Sequence, residues 1–123
     1  MGKSVLIIDD SMYMRTLINN ALTEGGYEVV GMAGDGETGI EMALEFEPDV
    51  ITLDNVLPDM IGLDILKILK DEGLESTIIM VSAVGQQTVV DEGMELGAAD
   101  YIVKPFTPEG LLEKVNDAYN KNQ

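Results

Sequence analysis

The sequence predicts an α/β fold in which five parallel strands form one sheet and five helices cover both of its faces. Five short apolar runs alternate with segments whose apolar residues recur at helical spacing. Right-handed crossovers between buried strands then give a doubly wound parallel sheet. The 123 residues, 46% of them apolar, contain no linker, repeat or low-complexity segment and are enough for one domain with a sizeable core.

The first strand, Ser4–Ile8, is apolar and largely β-branched, which is typical of a strand buried on both faces. The next helix is capped by Asp10 or Ser11, since either side-chain oxygen can accept the free N–H groups of its first turn. The helix runs to about Glu24, where Gly25-Gly26 stops it. Its inward face is Met14, Leu17, Ile18, Ala21 and Leu22.

The remaining elements continue the same alternation. We predict strands over Tyr27–Met32, Val50–Leu53, Thr77–Val81 and Tyr101–Val103. We predict helices that follow Asp35, run from about Leu63 to Asp71, run from near Gln87 to Leu96, and include Leu111 to Tyr119. The second helix should turn Ile40, Ala43 and Leu44 inward, and the fourth has a mixed face that contains Gly93.

Charge and composition exclude several functions. With 23 acidic and 7 basic residues, a net charge of −16 repels nucleic acid and anionic membranes, so we expect no direct DNA binding. No apolar run approaches the roughly 18 residues of a membrane helix, so we expect no membrane insertion. Met1-Gly2-Lys3-Ser4 leads into a strand without a cleavage site, and cysteine is absent. We therefore expect a cytoplasmic protein without a secretory signal.

Polar side chains follow the strands that we place near the centre of the sheet. Each has an ordinary explanation when it is taken alone: a helix cap, a turn donor or a solvated charge. In a doubly wound sheet, however, the carboxyl ends of the strands meet at one edge. The residues concerned are Asp9, Asp10, Asp54, Ser82 and Lys104.

Such a cluster is suited to phosphoryl chemistry. Three neighbouring carboxylates repel one another unless a cation compensates them. An all-oxygen ligand set without histidine or cysteine favours Mg²⁺, or Mn²⁺ as a substitute. Lys104 and Ser82 add an ammonium and a hydroxyl of the kind that stabilise a transferring phosphoryl group, and Asp54 is then the natural nucleophile.

Four motifs in order resemble the receiver domain of two-component response regulators, most closely the single-domain chemotaxis regulators of the CheY type. They are Leu6–Ser11, Leu53–Gly62, Val81–Ala83 and Tyr101–Phe106. The resemblance covers essentially the whole chain. It implies a flavodoxin-like topology with strand order 2-1-3-4-5, one receiver domain over residues 1–123, and no output domain.

The resemblance also implies a site. Asp54 would be phosphorylated by a histidine kinase, and the protein would catalyse only its own phosphorylation and dephosphorylation. Asp10, Asp54 and the backbone carbonyl of Val56 would ligate Mg²⁺, with Asp9 acting through water. Lys104 would contact the phosphoryl group.

A switch is implied as well. Ser82 would move towards the phosphoryl oxygens and Tyr101 would turn inward behind it, which would alter the face made by the fourth helix, fifth strand and fifth helix. The Lys104-Pro105 bond would be cis. We expect a monomer that meets a kinase of chemotaxis type and a flagellar or archaellar motor switch, or a relay protein.

Two positions depart from the commonest pattern of the family. Val56 and Val84 lie two residues beyond Asp54 and Ser82, and neither side chain can hydrogen-bond an attacking water. We hypothesise that these side chains do not assist dephosphorylation, which leaves a role for a separate phosphatase. Asn55 stands where the family often has an apolar residue, and its side chain can face either the sheet or the site.

Other functions share this fold. A relay protein of another two-component pathway would have the same site. A flavin-binding module would need a hydroxyl- and glycine-rich phosphate loop after the first strand, where Asp9-Asp10 would repel the flavin phosphate. A hydrolase that uses Asp54 on external substrates would usually carry a second acid two residues later, where this chain has Val56.

Overall fold

The computed structural model describes residues 3–122, so the expectations that concern Met1, Gly2 and Gln123 lie outside it. The strands are β1 (Ser4–Ile8), β2 (Glu28–Ala33), β3 (Val50–Asp54), β4 (Thr77–Ala83) and β5 (Asp100–Lys104). The helices are α1 (Met12–Glu24), α2 (Gly36–Phe46), α3 (Gly62–Asp71), α4 (Gln87–Glu95) and α5 (Pro108–Lys121). Every helix between residues 3 and 122 lacks the length or apolar character that a membrane crossing requires.

The five strands form one parallel sheet in the order β2-β1-β3-β4-β5, which confirms the predicted topology. One face packs against α2, α3 and α4, and the other packs against α1 and α5. All five residues of β3 are buried because the strand lies at the centre of the sheet with a core on each side. Its last residue, Asp54, therefore stands at the carboxyl edge on the most deeply buried strand.

The second strand is displaced by one residue from its predicted range. The N–H group of Tyr27 donates to the carbonyl of Leu22 at 2.9 Å, which places Tyr27 in the turn after α1. At the other end, Ala33 pairs with Ile8 and extends the strand. The third, fourth and fifth strands are also longer than predicted. Asp54 extends β3, Ser82 and Ala83 extend β4, and β5 gains one paired residue at each end, Asp100 and Lys104.

The prediction that Leu44 faces inward from α2 was wrong. Leu44 is 39% exposed, and the buried positions of the helix are Gly36, Gly39 and Ala43. A Cβ atom at Gly39 would lie 2.8 Å from the Ile8 side chain, so α2 approaches the sheet through its small residues. That close approach turns the bulky Leu44 outward.

The cap of α1 is Ser11, one of the two predicted candidates. Its hydroxyl accepts the N–H of Met14 at 3.2 Å. Asp9 and Asp10 thus form the last two positions before the cap, at the turn between β1 and α1. Both aspartates are held at the edge of the sheet where β3 ends.

Candidate functional site

Four of the predicted side chains gather at the carboxyl edge of the sheet. One carboxylate oxygen from each of Asp9, Asp10 and Asp54 lies within 4.8 Å of the other two. The Nζ atom of Lys104 is 3.3 Å from Asp54 Oδ1 and 3.6 Å from Asp9 Oδ2. Three acidic groups from two strand ends therefore share one pocket with an ammonium group from a third.

Burial differs among the three carboxylates. Asp9 and Asp54 are only 1% and 7% exposed, whereas Asp10 is open to solvent. Asp54 Oδ1 accepts hydrogen bonds from the N–H of Asn55 at 2.9 Å and from Lys104 at 3.3 Å. Asp9 Oδ1 accepts the N–H of Ser11 at 2.9 Å, but among the described residues its buried Oδ2 has no hydrogen-bond partner. Its nearest compensating group is the Lys104 ammonium at 3.6 Å, so this buried carboxylate oxygen is still suited to a further ligand.

The environment raises the pKa of Asp54 from its ordinary value of 3.8 to about 6. Burial is the main cause, and the negative charge of Asp9 adds to it. Lys104 opposes both effects, by its charge and by its hydrogen bond, while Asp10 makes a smaller contribution that raises the pKa. One lysine thus compensates the acidic groups incompletely, and a bound cation would stabilise the ionised cluster.

The donor set fits a hard divalent cation. The three carboxylates supply oxygen ligands, and the chain contains no histidine or cysteine to favour a softer metal. Mg²⁺ bound by a few carboxylates keeps positions open for phosphate oxygens. With Lys104 beside Asp54, the pocket has the groups that would stabilise a phosphoryl group at that carboxylate.

Within residues 3–122, no hydrogen bond joins Ser82 or Tyr101, the two predicted switch residues, to Asp54. Ser82 follows Val81, which pairs with Asp54 in the sheet, and its buried Oγ has no hydrogen-bond partner within the described part of the chain. Tyr101 is half-buried on β5, with its ring 5.2 Å from Lys114 Nζ. A free buried hydroxyl beside the pocket is available for a ligand that enters it.

Three residues depart from the commonest family pattern, and none of them lies in a helix or a named strand. Asn55 and Val56 are in the loop 55–61, and Val84 is in the turn after β4. Val56 and Val84 are 57% and 75% exposed, so each presents an apolar side chain to solvent. Asn55 is buried, and its Oδ1 lacks a partner among residues 3–122. The peptide bond between Lys104 and Pro105 is cis, which confirms the prediction.

Two further residues hold segments that adjoin the site and were not predicted as site residues. Arg15 donates from its guanidinium group to the backbone carbonyl of Asp9 at 2.7 Å and so fixes the turn that carries the acidic pair. It is the single arginine of the chain and lies four residues, about one helical turn, beyond the cap Ser11, so the sequence does contain a signal for this contact. Asp59 bonds to α2 across 23 positions, and a turn-forming Pro-Asp pair gives no sign of such a contact.

Comparison with known proteins agrees with this geometry. Residues 5–116 match the family described as the response regulator receiver domain. The chemotaxis protein CheY of Thermotoga maritima is 42% identical over 116 residues, which cover 94% of this chain and 97% of the relative. The CheY protein of Bacillus subtilis is 40% identical over 120 residues, covering 98% and 100%.

Solved structures show the same likeness. The response regulator domain of Thermotoga maritima CheB superposes with a TM-score of 0.88 at 32% identity and covers 98% of both chains. The chemotaxis response regulator CheY4 of Vibrio cholerae gives a TM-score of 0.88 at 31% identity, covering 96% of this chain and 99% of its own. On its sequence and its fold, this chain belongs to the response regulator receiver domain family.

Proposed function

We propose that the chain is a phosphorylation-dependent switch that accepts a phosphoryl group on Asp54 from a histidine kinase. The observation that carries the proposal is the cluster of Asp9, Asp10 and Asp54 with Lys104 3.3 Å from Asp54. Asp10, Asp54 and the carbonyl of Val56 would hold Mg²⁺, and Asp9 would act through water. When bound, the ion would neutralise charge on the phosphoryl oxygens.

The transfer needs no other nucleophile. A carboxylate oxygen of Asp54 forms a bond to phosphorus while the bond from phosphorus to the donor imidazole nitrogen breaks, and that nitrogen keeps the electron pair. Lys104 lies on the side of Asp54 Oδ1 and would pair with a phosphoryl oxygen. Attack by water on phosphorus later releases inorganic phosphate and restores the carboxylate.

The signal would leave by a change of surface. Ser82 would donate its hydroxyl to a phosphoryl oxygen, a role supported by its buried Oγ, which has no hydrogen-bond partner among residues 3–122. Tyr101 would then turn further inward, which would change the face formed by α4, β5 and α5. The partners would bind that face by protein–protein contact.

Chemotaxis is the pathway that the relatives favour, because several of them are named as chemotaxis proteins at about two-fifths identity. A kinase of chemotaxis type would meet the chain in the cytoplasm, and a motor switch would receive the signal. A phosphorelay has the same chemistry and is the alternative. The net charge of −16 disfavours direct binding to DNA.

A flavin-binding function is disfavoured by the same site. The ends of β1 and β3 carry the buried Asp9 and Asp54, and the electrostatic repulsion of these carboxylates would act against a flavin phosphate.

Mass spectrometry tests the central step. The chain and its Asp54→Asn variant are incubated with acetyl phosphate and Mg²⁺, with EDTA as the control. We expect one added phosphate on the native chain and none on the variant or with EDTA. Phosphate on the variant would assign the chemistry to another residue. Capture with the beryllofluoride-treated chain, in which beryllofluoride replaces the phosphoryl group, then identifies the output partner.

A further inference from the structure

Asp59 connects the loop beside the proposed phosphoacceptor to a different helix. Its Oδ1 accepts the N–H of Gly36 at 2.7 Å, and its Oδ2 accepts the N–H of Glu37 at 3.0 Å. The helix α2 already has a cap of its own, because Asp35 accepts the N–H of Thr38 at 2.7 Å. The first-turn donors of α2 are therefore shared between its own cap and a carboxylate from the loop 55–61.

A second contact joins the same two segments. The side chain of Met60 lies against Gly36, where a Cβ atom would overlap its Cγ and Sδ atoms. Gly36 is buried at this contact. Two consecutive loop residues thus hold the first residue of α2, one by hydrogen bonds and one by packing.

The loop itself is closed by backbone contacts. Val56 and Ile61 form an antiparallel bridge, and the N–H of Leu57 donates to the carbonyl of Met60 at 3.2 Å. At the base, the N–H of Gly62 donates to the carbonyl of Asn55 at 2.6 Å. These contacts connect the part of the loop that carries Asp59 and Met60 to the part that carries Val56 and Leu57.

We propose that Asp59 is a positioning residue for the magnesium site, because its grip on α2 sets where the Val56 carbonyl stands relative to Asp54. The inference rests on the proposed function, in which that carbonyl is a ligand. Asp59 is not one of the proposed ligands; its side chain contacts α2, and it would act through the loop. Ligand geometry matters for Mg²⁺ because this ion requires nearly ideal octahedral coordination.

Asp35 provides a matched control. Both aspartates accept N–H groups of the first turn of α2, but only Asp59 comes from the loop 55–61. If Asp59 served only as a helix cap, replacing either residue would destabilise α2 and leave the magnesium affinity unchanged. If Asp59 positions the loop, replacing Asp59 weakens Mg²⁺ binding and replacing Asp35 does not, while both replacements lower the stability by a similar amount.

The experiment is a calorimetric titration of the full chain with MgCl₂, at roughly 0.15 M salt to screen non-specific binding to the acidic surface. Thermal unfolding in EDTA is measured alongside. We expect Asp59→Ala to weaken Mg²⁺ binding by about tenfold, as replacement of outer-shell partners does elsewhere. Asp59→Asn keeps one acceptor oxygen, so its Mg²⁺ affinity should lie between those of the native chain and Asp59→Ala. Asp35→Ala should lower the melting temperature comparably and leave the dissociation constant within about twofold.

The outcomes separate this inference from the function on which it rests. If the native chain binds Mg²⁺ and Asp54→Asn abolishes the binding, but Asp59→Ala binds as the native chain does, the inference alone is overturned. Equal weakening by Asp35→Ala overturns it too. If the native chain shows no saturable binding that depends on Asp54, the magnesium site fails and the inference with it. Should Asp59→Ala not fold, Asp59→Asn against Asp35→Asn gives the same comparison.

Discussion

Replacing Asp54 by asparagine should stabilise the metal-free protein. The change keeps the shape of the side chain and its acceptor oxygen but removes a charge that the pocket disfavours. The pKa of Asp54 stands at about 6 against an ordinary 3.8, and such a difference corresponds to roughly 3 kcal/mol at most. Water at the rim of the pocket screens part of this, so we expect a gain of about 1–2 kcal/mol at pH 8.

The direction of the Asp54 pKa shift determines how the stability of the native chain depends on pH. Between pH 3.8 and about 6 the folded state holds the Asp54 proton more tightly than the unfolded state does. The native chain therefore loses this share of its stability as the pH rises through that window, and Asp54→Asn does not. The advantage of the variant should be complete above about pH 7 and should shrink towards zero near pH 4.

Urea denaturation followed by far-UV circular dichroism measures the effect, because urea leaves the ionic strength unchanged. The buffers contain EDTA at pH 8 or pH 4.5. Glu92→Gln removes an equal charge from an exposed position on α4 and controls for the general acidity of the chain, with an expected change within about 0.5 kcal/mol. An equal or lower stability of Asp54→Asn at pH 8, or a gain that is the same at both pH values, would refute the reasoning.

Three further sets of substitutions test neighbouring parts of the site. Lys104→Met removes the ammonium 3.3 Å from the Asp54 carboxyl and should raise the pKa of that carboxyl above 6 in a carbon-13 NMR titration; a lower value would contradict the electrostatics. Val56→Asn with Val84→Glu should shorten the half-life of the phosphorylated chain, measured by release of labelled phosphate, and an unchanged half-life would remove the argument from these side chains. Gly62→Ala places a Cβ atom 2.5 Å from the backbone carbonyl of Asp54 and should cost about 2–4 kcal/mol in urea, while Gly93→Ala on α4, whose Cβ would lie 3.5 Å from the Met80 side chain, should be nearly neutral.

The strands were predictable because a buried parallel strand is apolar throughout and leaves a clear run in the sequence. The error at Tyr27 arose where an aromatic residue suits both a strand and the turn that precedes it. Leu44 was misplaced because helical spacing identifies an apolar face, whereas the close approach of α2 at Gly39 decides which face it is. Glycine adds nothing to a hydrophobic pattern, so the contact at Gly39 that orients α2 could not be predicted from the sequence.

Most of the residues in the candidate site could also be predicted from the sequence, whereas the contact made by Asp59 could not. The ends of β1, β3 and β5 had to converge once the sheet was parallel, so Asp9, Asp10, Asp54 and Lys104 could be grouped from the sequence. The contact between Asp59 and α2 depends on how far the loop 55–61 reaches across the molecule. That distance follows from the packing of whole elements, and a local pattern does not encode it.

The burial of β3 determines which parts of the molecule can respond to a modification at Asp54. Every residue of this strand is enclosed between two cores, so its amide protons should exchange with deuterium only when the whole domain unfolds. The turn around Val84 is exposed and should exchange far sooner. A phosphate on Asp54 would therefore be attached to a rigid strand, and any change of conformation would have to occur in the surrounding turns.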